Sequence, residues 1–178
     1  RALVYQRLRQ RGAARFPFPI EGRIPNFQGA EAAAARLRQS PLYQRARAIK
    51  VNPDAPQRPV RAMALTDGKT LYMPTPRLRD AFICIRPQDV PSGQEARAAS
   101  LTHAGQYGRP VPLEQMKPEK APIDLVVVGA VAVTRDGARI GKGEGYADLE
   151  YGLLRELGHP PLPVVTTVHP AQLVEIGR

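Results

Sequence analysis

Ile123-Asp124-Leu125-Val126-Val127-Val128-Gly129-Ala130-Val131-Ala132-Val133 is the stretch from which the fold is read. Leu125 to Val128 carry no polar alternation, the pattern of a strand covered on both faces. Downstream, the spacing predicts a helix over Tyr146–Leu157, with Tyr146, Leu149, Leu153, Leu154 and Leu157 on one side; Gly158 and Pro160 stop it. Pro163–Val168 predicts a second buried strand, and a further helix starts near Pro170. Strand, glycine loop, amphipathic helix and strand make a βαβ unit. The expected class is α/β, with three layers: a mostly parallel sheet and helices on both of its faces.

Working back toward the start, Ala2–Gln10 and Glu31–Gln39 read as helices. Phe16-Pro17-Phe18-Pro19 and Arg23–Phe27 read as extended, because proline lacks a donor and biases the residue before it away from helix. Ile49–Val51 and Phe82–Ile85 predict short strands. Asp67-Gly68, between the apolar runs Val60–Leu65 and Thr70–Met73, predicts a hairpin. Residues 86–122 are rich in Pro, Gly and Gln, with one helix expected over Gly93–His103.

A length of 178 residues with 43% hydrophobic and 24% charged residues predicts one packed domain over residues 1–178. The chain begins at Arg1, not Met, so both ends of the natural protein are expected to lie outside it. The longest apolar run is too short to span a bilayer. The one cysteine, Cys84, excludes an internal disulfide framework and points to a reducing, cytoplasmic setting; its apolar neighbours predict a buried thiol. The net charge of +10 is carried mostly by arginine. A solvated, salt-bridged surface and an anionic or nucleic-acid partner both account for it.

Chemistry concentrates in Arg139-Ile140-Gly141-Lys142-Gly143-Glu144-Gly145-Tyr146-Ala147-Asp148. Glycines at every second position let the backbone take positive φ and bring its N–H groups close to a ligand. The helix N-terminus beyond them offers unpaired donors and the positive end of its dipole. A phosphate there would meet those donors together with Arg139 and Lys142, and Asp148 would hold a Mg2+ ion bridging phosphate oxygens. The spacing is neither the Rossmann fingerprint nor the P-loop, and on the residues alone a plain structural turn remains open.

The stretch resembles the glycine-rich signature of the 5-formyltetrahydrofolate cyclo-ligase (methenyltetrahydrofolate synthetase) family, Arg-Leu-Gly-x-Gly-x-Gly-Tyr-Tyr-Asp. Asp124–Val133 leading into Asp136-Gly137 is similar to the family's preceding strand, and Gln172-Leu173-Val174-Glu175 to a later segment. Arg23–Phe27, Leu71–Arg79 and Ile140–Tyr151 resemble the divergent branch of methenyltetrahydrofolate synthetase domain-containing proteins. The resemblance implies the family's fold and an ATP- and Mg2+-dependent ring closure. In it the formyl oxygen of 5-formyltetrahydrofolate is phosphorylated, N10 attacks the activated carbon, and phosphate leaves to give 5,10-methenyltetrahydrofolate.

Carried over residue by residue, the resemblance implies that ATP is bound by Arg1, Arg139, Ile140, Gly141, Lys142, Gly143, Glu144, Gly145 and Tyr146. Lys142 and Arg139 serve catalysis, and Asp148 is the metal carboxylate. Tyr146 and Asp54 would contact the reduced folate. Arg1 matches the second basic residue of a phosphate-contacting Lys-x-x-x-Arg pair. Ala147 stands in place of the family's second tyrosine, and Gly129-Ala130 in place of Pro-Gly.

The residues leave alternatives beside this. Asp54 also suits a turn cap. Arg77 and Arg79 suit either the glutamate tail of folate or a solvated face. His103, His159 and His169 lack metal-ligand spacing, and His169 either lines the cleft or opens a helix. A non-catalytic paralogue that binds nucleotide or RNA is the alternative function. A monomer or weak dimer, with no membrane association, is expected.

Overall fold

A computed structural model describes residues 1–75 and 81–175. In chain order the elements begin with α1 (Ala2–Gln10), β1 (Ala14–Arg15), β2 (Asn26–Phe27), α2 (Ala30–Arg38), α3 (Pro41–Arg45) and β3 (Ala48–Val51). Next come α4 (Arg58–Thr66), β4 (Thr70–Pro74), β5 (Ala81–Ile85), α5 (Glu95–Ala98), α6 (Ala104–Tyr107) and β6 (Arg109–Pro112). The chain continues through β7 (Leu125–Val128), β8 (Ala132–Val133), β9 (Arg139–Ile140), α7 (Tyr146–Glu156) and β10 (Val164–Thr166).

A six-stranded sheet in the order β10-β7-β3-β4-β5-β6 forms the middle layer. Its first four strands are parallel, and β5 and β6 add antiparallel. Side chains alternate across it as the strand period requires. Ile49, Val51, Leu71, Met73, Leu125 and Val127 pack with α2, α3 and α4 on one face. Ala48, Tyr72, Cys84, Val126 and Val128 pack under Leu154 of α7 on the other. The α/β class with helices on both faces is therefore observed, and Cys84 is buried. Asp124 joins the sheet by accepting from the amides of Arg47 and Ala48 at 2.8 and 3.0 Å. Among the described residues, no helix is long and apolar enough to cross a membrane.

Several local expectations are corrected. The run Val60–Leu65 is not a hairpin strand but part of α4, with Pro59 in its first turn. Asp67 is the C-cap of α4, and Gly68, at φ +76°, lets Lys69 N–H donate to Ala64 O at 2.9 Å. Asp-Gly thus ends the crossover helix of a parallel β3–α4–β4 unit. The strand expected over Ile123–Val133 ends at Val128, and Ala132–Val133 pairs instead with Arg139–Ile140 in a small antiparallel ladder. Val164 on edge strand β10 is 47% exposed and Val165 and Thr166 are only partly buried, so the strand is not the fully buried one expected. A single helix over Gly93–His103 is replaced by the short α5 and α6. Near Pro170 only a 3-10 turn forms.

Asp67 also anchors α2 and α3. It accepts from Arg38 Nε at 2.9 Å and from the Tyr43 hydroxyl at 2.7 Å. The Arg38 hydrogen bond, aided by Tyr43, holds the carboxyl below the usual carboxylate range despite its partial burial. A depressed folded-state pKa gives stability that is present above the ordinary carboxylate pKa and is lost as pH falls through the folded value. Acid unfolding of Asp67→Asn, followed by circular dichroism, is therefore expected to lose part of the wild-type decline in stability below the ordinary carboxylate pKa.

Candidate active site

A cleft of 1590 Å³ opens beyond the carboxyl ends of β3 and β7, where ligands bind in open α/β sheets. The glycine loop forms one wall. Gly143 and Gly145 have φ of +110° and +75°, which bends the chain into α7. Gly141 has no positive φ, and a Cβ there would stand 3.1 Å from the Arg139 guanidinium, which would have to shift slightly. Among the described residues, no N–H from Gly141 to Tyr146 donates to a protein acceptor. The loop thus presents a run of solvent-open donors without protein acceptors at a helix N-terminus.

Cations surround those amides. Arg1 Nε donates to Gly141 O at 2.8 Å, and its guanidinium lies over Gly143. Arg139 donates to Gly129 O at 2.9 Å and to Asp148 Oδ1 at 2.9 Å. Lys142 sits 3.2 Å from Glu144. Asp148 projects from the first turn of α7 with 82% of its side chain exposed, and Arg139 is its ion-pair partner. One open carboxylate beside free backbone donors is of the type that Mg2+ accepts, since that ion takes one or two protein carboxylates and fills its shell from phosphate oxygens and water. Among the described residues, no cluster of three or more metal-ligating side chains gathers.

Asp54 lies at the floor of the same cleft. It precedes a 3-10 turn but makes no side-chain cap bond, so the turn-capping reading does not hold. Its carboxyl is partly buried, and that burial pushes its pKa up; Lys142, Arg61 and Lys50, with the neighbouring Asn52 amide, pull it back. A Cβ at Gly129 would stand 2.8 Å from Asp54 Oδ2, so the absence of a side chain there makes the room. Arg1, Asp54, Arg139, Lys142, Tyr146 and Asp148 therefore line a single cleft, together with Ile140, Gly141, Gly143, Glu144 and Gly145. His169 does not line it: its Nδ1 accepts from Ala171 N–H in a capping box, the helix-entry role. Arg77 and Arg79 lie outside the described residues.

Sequence reasoning missed a buried polar layer beneath these groups. Lys50 Nζ donates to Glu150 Oε1 at 2.7 Å and to Asn52 Oδ1 at 2.8 Å, with Lys50 and Glu150 side chains only 1% and 3% exposed. Arg61, 2% exposed, donates to the carbonyls of Asn52, Asp54 and Ala99 at 2.6, 2.9 and 2.9 Å. The available signal was a charge inside an apolar run, Ile49-Lys50-Val51 and Val60-Arg61-Ala62. Glu150 also turns α7: Leu149, expected on the packed side, is 59% exposed, while Glu150 and Leu154 face the sheet.

The architecture is shared with the NMR structure of Aquifex aeolicus 5,10-methenyltetrahydrofolate synthetase. The TM-score is 0.54 over 99% of this chain and 81% of that one, and at 20% identity the likeness is one of fold. The model of the 5-formyltetrahydrofolate cyclo-ligase family matches residues 6–176, and the chain belongs to that family. Within it, the chain is similar to methenyltetrahydrofolate synthase domain-containing proteins: 43% identical to that of Mus musculus and 38% to that of Homo sapiens, each over 99% of this chain. It spans 47% and 46% of their lengths, about half of each.

Proposed function

We propose that the chain closes the ring of a 5-formyl reduced folate at the expense of ATP, giving 5,10-methenyltetrahydrofolate. The observation that carries this reading is the pairing of glycine-loop amides free of protein acceptors, ringed by Arg1, Arg139 and Lys142, with the partly buried Asp54 carboxyl in the same cleft. In this reading the amides and Arg1 grip the β- and γ-phosphates. Lys142 and Arg139 offset the charge that shifts as the γ-phosphoryl passes to the formyl oxygen, a reaction in which positioning and electrostatics do most of the work. Asp148 would hold Mg2+, which when bound neutralises phosphate charge. Tyr146 and Asp54 orient the pterin so that N10 meets the activated carbon, from which phosphate then departs.

The test is the ATP-dependent rise of methenyltetrahydrofolate absorbance with 5-formyltetrahydrofolate and the full-length protein. Lys142→Ala and Asp148→Ala are each expected to lower kcat/KM by about 10²–10³-fold, the size seen when one charge-stabilising group is removed. Absence of turnover across a range of reduced folates overturns the reading, and ATP binding retained without turnover marks a non-catalytic binder.

A further inference from the structure

The face of the sheet under α7 is apolar, built from Ala48, Tyr72, Val126 and Val128 with Leu154, except where Lys50 meets Glu150. A buried ion pair of this kind tends to break even with, or lose to, an apolar pair of similar volume. Stability therefore does not explain the pair, but its connections do. Glu150 lies one helical turn beyond Tyr146 and close behind Asp148 on α7. Lys50 lies on β3, the strand that leads into Asn52 and Asp54. Lys50 joins Glu150 to Asn52, and Asn52 stands two residues before Asp54 in the turn whose Asn52 and Asp54 carbonyls Arg61 holds. One line of contacts thus ties the phosphate-facing wall of the cleft to the carboxylate on its other side.

We propose that Lys50 and Glu150 are positioning residues that set, through Asn52, where the Asp54 carboxyl stands relative to Tyr146, and so tune the affinity of the cleft for the reduced folate more than for the nucleotide. The proposal rests on the functional reading above. It is tested by calorimetry with ATP–Mg2+ and, separately, with 5-formyltetrahydrofolate, alongside thermal unfolding. The Lys50→Met/Glu150→Leu double variant replaces the pair by apolar side chains. It is expected to keep its melting temperature and nucleotide affinity while binding folate about ten- to a hundredfold more weakly, the size of losing one hydrogen bond to a charged group. Asn52→Ala keeps both charges of the ion pair and removes the amide oxygen through which Lys50 holds the turn carrying Asp54; it is expected to show the same selective loss, and it decides the matter where the double variant does not fold. Folate affinity unchanged in the variants overturns the positioning role and leaves the functional reading standing. A parallel loss of both affinities and of melting temperature marks a merely structural pair and also overturns it. A wild-type protein that binds ATP but no reduced folate overturns both.

Discussion

Arg61→Met is expected to cost roughly 2–5 kcal/mol of stability, measured by urea unfolding. The guanidinium satisfies three carbonyls, two of them in the Asn52–Asp54 turn and one on Ala99 beyond α5. Removing it strands these buried acceptors at about 1–3 kcal/mol each, partly offset by no longer burying a charge. That burial is itself severe: desolvation lowers the Arg61 pKa to about 10, against the pull of Asp54. Because Asp54 loses both a backbone anchor and a nearby cation, folate affinity is expected to fall further than the stability loss accounts for. A variant with wild-type unfolding would show that the three hydrogen bonds carry no net weight.

Gly129→Val is expected to act at the same carboxyl from the opposite side. The φ of Gly129 is not in the left-handed region, so the backbone tolerates a side chain; the space does not. A new Cβ would stand 2.8 Å from Asp54 Oδ2 and 2.8 Å from the buried Ile24 side chain. Overpacking of this kind costs about 1–3 kcal/mol. Asp54 must move, and folate binding is expected to weaken by more than about tenfold, comparable to the 1 Å misplacement that costs a hundredfold in rate. ATP–Mg2+ affinity should change less, because the amides of residues 141–146 are built on a separate turn and Arg139 keeps the residue 129 carbonyl as its acceptor. Calorimetry with each ligand in turn separates the two effects, and equal losses would count against a carboxyl dedicated to folate.

The parts of this fold that were legible are those in which local pattern and tertiary role agree. Leu125–Val128 is apolar on both sides because both sides are covered, and its hydrophobic run says so. The glycine loop was legible because its φ demands leave a mark in the sequence. Asp67-Gly68 misled because the same dipeptide closes a hairpin and caps a helix. What decides is whether the preceding run is amphipathic at the helical period, and Val60, Arg61, Ala64 and Leu65, all buried, follow it only once Arg61 is granted a place inside. Lys50 and Glu150 were hidden for the same reason. A charge reads as exposed until its partner, 100 residues away, is known. The helix face containing Leu149 was drawn wrongly because it assumed that Glu150 faced water.

Arg1 reaching Gly141 has a consequence for how the molecule comes into being. The two groups are 140 residues apart, and Arg7, donating to Leu173 O at 3.1 Å, reinforces the same closure. Both contacts can form only after the chain has been synthesised through Leu173, so the wall proposed to hold the phosphates is completed late. Once assembled, an occupant bridging both ends stabilises the molecule against global unfolding by mass action. A thermal-shift response to ATP would then report completion of the domain, not the tightening of one loop.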